Sequence, residues 1–293
     1  NDLPQDTLLC RQSPTDYYYA DLTGNWDLDG DGFFGEEDDD DGIGGMDNLS
    51  EIAVGRIPYY GSITDLDKIL AKTIRYQQEE DKSWRSRILV SQKAIVDDPS
   101  TGRYVRNFEM GEYVRNSIAS PMGWGMSRIY DSAFGVNPDM HPTSEDSVLK
   151  AWTAKDYGIH LWYTHGWLES ASGIYSSSNA WKLDDAHPSF TFQGSCLTAY
   201  PESSTNLAYS LLKNGAIATL GASRVSWASV PDQGQGRNNS SGSLGNLGAK
   251  FAEYLIRDTM SVGNALSELR ATTGSGWWMN MQDFNVYGDP SLT

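Results

Sequence analysis

Hydrophobic positions along this chain fall into two kinds of run. Short blocks are apolar on both faces: "RILV" from Arg87, "IHLWY" from Ile159, "FTF" from Phe190 and "AIATL" from Ala216. They alternate with longer stretches whose apolar residues recur every three or four positions, so the blocks predict strands and the longer stretches helices. "EIAVGRIPYY", Glu51 to Tyr60, predicts the first strand, and Ile88 to Val90 the next. "SITDLDKILAKTIRYQQEED" predicts a helix capped by Thr64, with Asp67 at the third position and Leu66, Ile69, Leu70 and Ile74 on one face. Further helices are predicted over "NFEMGEYVRNSIA", over "SEDSVLKAWTAK" from a cap near Ser144, over "NLAYSLLKNG" closed by Asn214 and Gly215, and over "LGAKFAEYLIRD" and "VGNALSELRATT". Strands apolar on both faces, alternating with helices, imply an α/β fold: a mostly parallel sheet covered by helices on both faces. A polar hinge at "DKSW" divides residues 1–80 from a larger unit, residues 81–293. Pro231 to Asn246, rich in Gly, Ser and Asn, predicts a flexible loop.

Composition narrows the picture. The 293 residues, 39% of them hydrophobic, suffice for a large core. A formal charge of -17 excludes the basic footprint that nucleic acid or an anionic membrane needs, and no apolar run is long enough to span a bilayer. Such acidity suits a secreted protein. The chain begins without Met and without a signal-like segment, which reads as a processed or trimmed chain. Two cysteines, Cys10 and Cys196, are too few for a disulfide framework, and pairing them in a single disulfide is the plain alternative to any chemical role.

The candidate chemistry sits where two apolar blocks stop. In an open parallel sheet, reactive groups gather beyond the carboxyl ends of the strands. "IHLWYTHG" delivers His165 and Gly166 there, and "SFTFQGSC" delivers Cys196. The stretch between His165 and Ser189 is long enough for a crossover, so the two strands can be parallel neighbours whose ends face one cleft. An imidazole beside a thiol generates or stabilises the thiolate that attacks an acyl carbon, then protonates the leaving amine. The N–H groups of Gly166 and Cys196 are candidate oxyanion donors, and glycine lets a substrate carbonyl approach the main chain. Each residue alone is more often structural; their coincidence at adjoining strand ends favours catalysis. His141 and His187 precede prolines in loop-like stretches, and His160 opens its strand at the opposite edge.

At these residues the chain resembles the gingipain family of cysteine peptidases, which share the caspase-like fold. "YTHG" is similar to the family's histidine strand, "FTFQGSC" to its cysteine strand, and "NGAIATLGASRVSWAS" and "FNVYGDPSL" to the segments that follow. "DYYYADLTGNWDLDGDG" and "EIAVGRIP" resemble the segment before the catalytic half. The resemblance implies a caspase-like three-layer sandwich and a cysteine endopeptidase acting on protein or peptide substrates. It assigns His165 as general base and acid, Cys196 as nucleophile and Trp227 as a wall of the pocket for the residue before the scissile bond, with basic residues favoured there. Three departures stand out. The family's glycine before the histidine is absent, the chain reading Tyr163, Thr164, His165. Where Arg-specific members carry their substrate-reading acid the chain has Val105, with Asp97 and Asp98 nearby, and no counterpart emerges for the auxiliary acid behind the histidine. Because such enzymes carry further strands upstream, an N-terminal fragment bound as a second chain is expected. A catalytically silent calcium-binding adhesion or scaffold module, and a transpeptidase on the same scaffold, are the competing readings.

"DLDGDGFFGEED" adds a second element of chemistry. Asp27, Asp29 and Asp31, followed by Gly32, have the spacing of an EF-hand calcium loop, in which the Phe33 carbonyl and Asp38 would complete the ligands. Oxygen donors alone suit a hard, structural cation. The alternative is a solvated acidic loop, since Asp38 to Asp41 form a charge run.

Overall fold

The computed structural model describes residues 12–37, 39–93, 95–98, 103–105, 108–131, 136–228, 242–273 and 277–293. Its centre is a six-stranded sheet. In chain order the strands are β1 (Arg87–Gln92), β2 (Gly125–Tyr130), β3 (Ile159–Tyr163), β4 (Ser189–Gly194), β5 (Ala216–Ala222) and β6 (Phe284–Tyr287). They lie in the order β6-β5-β4-β3-β1-β2, all parallel except β6, which runs against β5. The order reverses beside β1, and ligands bind at such a switch point, outside the carboxyl ends of the strands.

Both faces of the sheet are dry, which is why its strands read as unbroken apolar blocks. Every residue of β3, β4, β5 and β6 is buried. On one face Val90, Leu161, Phe192 and Leu220 pack with helix α2 (Glu109–Tyr113) and its continuation through Val114–Ala119, and with helices α5 (Leu244–Ile256) and α6 (Val262–Thr272). On the other, Leu89, Ile129 and Trp162 pack with α3 (Glu145–Ala154) and α4 (Leu207–Lys213). A last short helix, α7 (Trp278–Asp283), leads into β6. The architecture is the three-layer sandwich expected.

Several local expectations are corrected. Glu51–Tyr60 is not a strand: only Arg56 bridges to Tyr287, and Pro58 has no N–H to extend the ladder. The helix after it, α1 (Ile63–Gln78), is capped by Ser62, whose hydroxyl accepts the Asp65 N–H at 3.1 Å, rather than by Thr64. Its buried face is Ile69, Lys72, Thr73 and Tyr76, whereas Leu70 and Ile74 are exposed. Ser144 caps α3 as expected, through a reciprocal bond pair with Ser147. Of the expected loop Pro231 to Asn246, residues 244–246 form the first turn of α5 and residues 231–241 lie outside the described residues. β2, α7 and β6 went unpredicted, because each is short and carries few periodic positions.

Near the chain start, Ser13 to Asp16 form a strap across the end of β5 and β6. The Ser13 hydroxyl donates to Asp283 Oδ1 at 2.6 Å, the Asp16 N–H to Asn285 Oδ1 at 2.6 Å, and Asn285 Nδ2 to the Pro14 carbonyl at 3.2 Å. Arg56 forks onto both oxygens of Asp16.

Candidate active site

β3 and β4 pair in register as far as Tyr163 and Gly194, and the Thr164 N–H reaches the Gly194 carbonyl at 3.0 Å. The two chains then leave the sheet together. His165 and Cys196 each stand two positions past the last paired residues, so the strand ends expected to meet do meet. The closest point of contact is Gly166. A Cβ there would run into the Cys196 carbonyl oxygen and stand 3.0 Å from the Cys196 amide nitrogen, so only glycine fits.

A small antiparallel meander, Gly166–Trp167, Ser170–Ala171 and Tyr175–Ser176, follows the histidine and fixes its main chain. The Ser172 N–H donates to the His165 carbonyl at 2.7 Å and the Thr164 hydroxyl to the Ser172 carbonyl at 2.9 Å. The bonded pair is thus His165 with Ser172, and in an alternating ladder the Gly166 N–H points away from its partner Ala171. The Thr164 hydroxyl thus serves the turn in which the family's glycine is absent. The His165 side chain is exposed at the cleft rim, and what desolvation the cleft imposes lowers its pKa below the ordinary 6.5.

Cys196 carries a free, half-buried thiol. Burial raises its pKa above the ordinary 9.0, and the two contacts from Ser226 work the other way. Sγ lies 3.4 Å from the Ser226 carbonyl and 3.6 Å from the Ser226 hydroxyl. The next residue, Leu197, is buried with φ +61, a left-handed conformation that costs a non-glycine residue energy and that only firm surroundings maintain. Its N–H is held by the Arg224 carbonyl at 2.9 Å. Among the described residues no main-chain carbonyl accepts from the Cys196 N–H.

A family model described as "Peptidase family C25" matches residues 2–293. The chain belongs to peptidase family C25. A comparison with curated proteins finds no match. Among solved structures, the Arg-specific cysteine proteinase gingipain R (RgpB) is 17% identical, with a TM-score of 0.68 over 96% of this chain and 59% of that one. A complex of the pro- and mature domains of RgpB from Porphyromonas gingivalis is 16% identical, with a TM-score of 0.65 over 95% of this chain and 60% of that one. The chain thus shares the gingipain, caspase-like fold and spans about three-fifths of the length of these relatives.

The remaining expected residues can be located within this C25 fold. Trp227 follows the Ser226 that touches the thiol, and it is 50% exposed. Asp97, Asp98 and Val105 belong to a separate two-stranded ladder, of which the main chain is described. His160 is fully buried, bonded to Ser91 at 3.0 Å, and burial lowers its pKa to about 3. His187 bonds Asp156 at 3.0 Å, away from the thiol's contacts. Cys10 and Asp38 lie outside the described residues.

In the acidic loop, carboxylate oxygens of Asp27, Asp29 and Asp40 come within 4.8 Å of one another. Asp31 is turned to the Phe33 N–H at 2.8 Å and stands outside that trio. Asp40 is fully buried and accepts the N–H groups of Leu28 and Glu36, at 2.6 and 3.1 Å.

Sequence reasoning missed Ser226, Asn280 and Asp283. Asn280 carries the main chain of Trp227 on its amide. Asp283 is fully buried, its pKa raised to about 8 by desolvation, and once ionised it raises the pKa of Cys196. Both sit in "WWMNMQDF", where no spacing distinguishes them.

Proposed function

We propose that this chain is the catalytic part of a cysteine endopeptidase, with Cys196 as nucleophile and His165 as general base and acid. The observation that carries the reading is the contact of Gly166 with the Cys196 turn, which joins the two strand ends in one cleft. His165 takes the thiol proton as sulfur attacks the scissile carbonyl, and the oxyanion accepts the N–H groups of Gly166 and Cys196. The imidazolium then gives its proton to the leaving amine, which leaves a thioester on Cys196. Water, deprotonated by the same imidazole, releases the acid and restores the thiol.

Trp227 forms one wall of the pocket for the residue before the cleaved bond. A basic residue there is the preferred substrate, following the relative named as Arg specific. The enzyme acts on proteins or peptides outside the cell, and among the described residues no helix is long and apolar enough to cross a membrane. A preceding segment of the same protein, bound as a second chain, would cover Tyr19, Leu22, Phe33, Phe34 and Leu49, all at least 60% exposed on one early segment of the chain.

Calcium in the acidic loop is part of this reading. Asp27, Asp29 and Asp40 would hold it: three hard oxygen donors converge, and the neighbouring Glu36 has its pKa raised by desolvation first and then by Asp31, Asp39, Asp40 and Asp29. Bound calcium would supply the positive charge this crowd of carboxylates lacks.

The deciding test is hydrolysis of a peptide library by the parent, Cys196→Ala and His165→Ala, with cleavage sites read by mass spectrometry. The cysteine variant is expected to be inactive and the histidine variant nearly so, by about a thousandfold or more, with unchanged circular dichroism. Substantial activity in folded Cys196→Ala would end the mechanism.

A further inference from the structure

Trp227 follows the Ser226 that touches the thiol, yet it is half exposed, so its place depends on what holds its main chain. The Leu244 N–H donates to the Trp227 carbonyl at 3.2 Å, and the other holder is a side chain from another element. Asn280, on α7 and 1% exposed, accepts the Trp227 N–H on Oδ1 at 2.7 Å. Its Nδ2 donates to the Trp227 carbonyl at 2.8 Å and to the Gly242 carbonyl at 2.7 Å. One acceptor and both donors of the amide are in use. Trp227 and Gly242 bound the segment 228–241, so the same amide ties both of its ends to α7.

The helix that carries Asn280 is itself fixed. Buried Arg270 donates from Nε to the Met281 carbonyl at 3.2 Å and from Nη2 to the Phe284 carbonyl at 3.0 Å. The Ser223 N–H donates to the Asp283 carbonyl at 2.9 Å. On the other side, Ser226 touches Cys196 Sγ through both its carbonyl and its hydroxyl. The segment Ser226–Trp227 therefore contacts the thiol on one side and the amide on the other.

We propose that Asn280 is a positioning residue for substrate recognition: its amide sets the distance between the Trp227 wall and the Cys196 thiol. This rests on the catalytic reading above. Asn280 touches neither substrate nor reacting atoms, so it acts on binding of the substrate side chain and leaves the thiol's own reactivity alone. Aspartate in its place keeps the acceptor but loses both donors and turns a carboxylate toward two carbonyls. Alanine loses all three bonds.

The test compares the parent with Asn280→Asp, Asn280→Ala, Trp227→Ala and the double variant of Asn280→Ala with Trp227→Ala. Two readouts are taken: kcat and KM on the best peptide from the library, and the rate at which iodoacetamide alkylates Cys196. Each variant is checked for folding by thermal unfolding, and Asn280→Asp carries the test if Asn280→Ala does not fold. The expected result is a KM raised about tenfold with kcat within about threefold, and alkylation within about twofold of the parent. In the Trp227→Ala background the Asn280 substitution should add less than about twofold, since the two residues act as one unit. Full additivity in the double variant, an alkylation rate that falls in step with kcat/KM, or unchanged KM in the folded variants overturns the proposal while leaving the dyad intact. A parent that hydrolyses no peptide, or whose activity survives Cys196→Ala, overturns the catalytic reading and this inference with it.

Discussion

At the scale of single residues, the two reactive groups are shifted in opposite senses: desolvation lowers the His165 pKa and raises that of Cys196. In the proposed mechanism both shifts favour thiol and imidazole over thiolate and imidazolium in the resting pair, so the proton moves as the sulfur attacks. The pH dependence follows from the sign. The proposed mechanism needs the neutral imidazole, so the acid limb of kcat/KM should fall below the ordinary 6.5. Alkylation of the resting enzyme needs thiolate and should climb steadily up to and past pH 9. An acid limb above 6.5, or alkylation already saturated at pH 7, would mean a preformed ion pair. His165 and Cys196 were legible in the sequence because each ends an apolar block, and a strand end is visible in a pattern. Leu197 was not, because a left-handed leucine leaves no trace in residue type, and Asn280 was not, because its partners Trp227 and Gly242 are 53 and 38 positions away.

Elements show where patterns mislead. The apolar stripe of α1 suggested Leu66, Ile69, Leu70 and Ile74, yet the helix turns a lysine inward. Lys72 is 1% exposed on its side chain, donates to the Leu212 carbonyl at 2.6 Å and to Asp185 at 2.9 Å, and has its pKa lowered to about 8 by burial. It thereby docks α1 on the last turn of α4, whose late carbonyls need a donor. Lys72→Ala should cost about 2–3 kcal/mol in urea unfolding, because it strands the Leu212 carbonyl, whereas Asp185 keeps Lys68 and the Gly215 N–H. A loss below about 0.5 kcal/mol would make the lysine incidental. The acidic loop gives the other prediction at this scale. Calcium bound only by the folded chain adds about 2.7 kcal/mol at a hundredfold excess over Kd, so EGTA should lower Tm by roughly 5 °C and restored calcium should reverse the change. Asp40→Ala should abolish the response, as should Asp29→Ala. Superimposable melting curves with and without EGTA in the parent would rule the ion out.

On the scale of the molecule, the layered sheet was readable because burial on both faces leaves no polar alternation in its strands, and helices must then cover them. The order of the strands was not, apart from the neighbouring β3 and β4, because pairing between distant segments carries no local signature. β2 and β6, the two edges, escaped notice altogether: β2 has three residues buried of six, and β6 is only four residues long. The strap has a further consequence. Ser13 and Asp283 are 270 positions apart, and Asp16 and Asn285 are 269. On a ribosome Ser13 and the Asp16 N–H are therefore made some 270 positions before the residues that will receive them. β1 to β5 can assemble meanwhile, whereas α7, β6 and with them the seat of Trp227 are made after them. On the proposed mechanism a nascent chain should then pass through a stage in which it holds its nucleophile without yet being able to choose what it cuts.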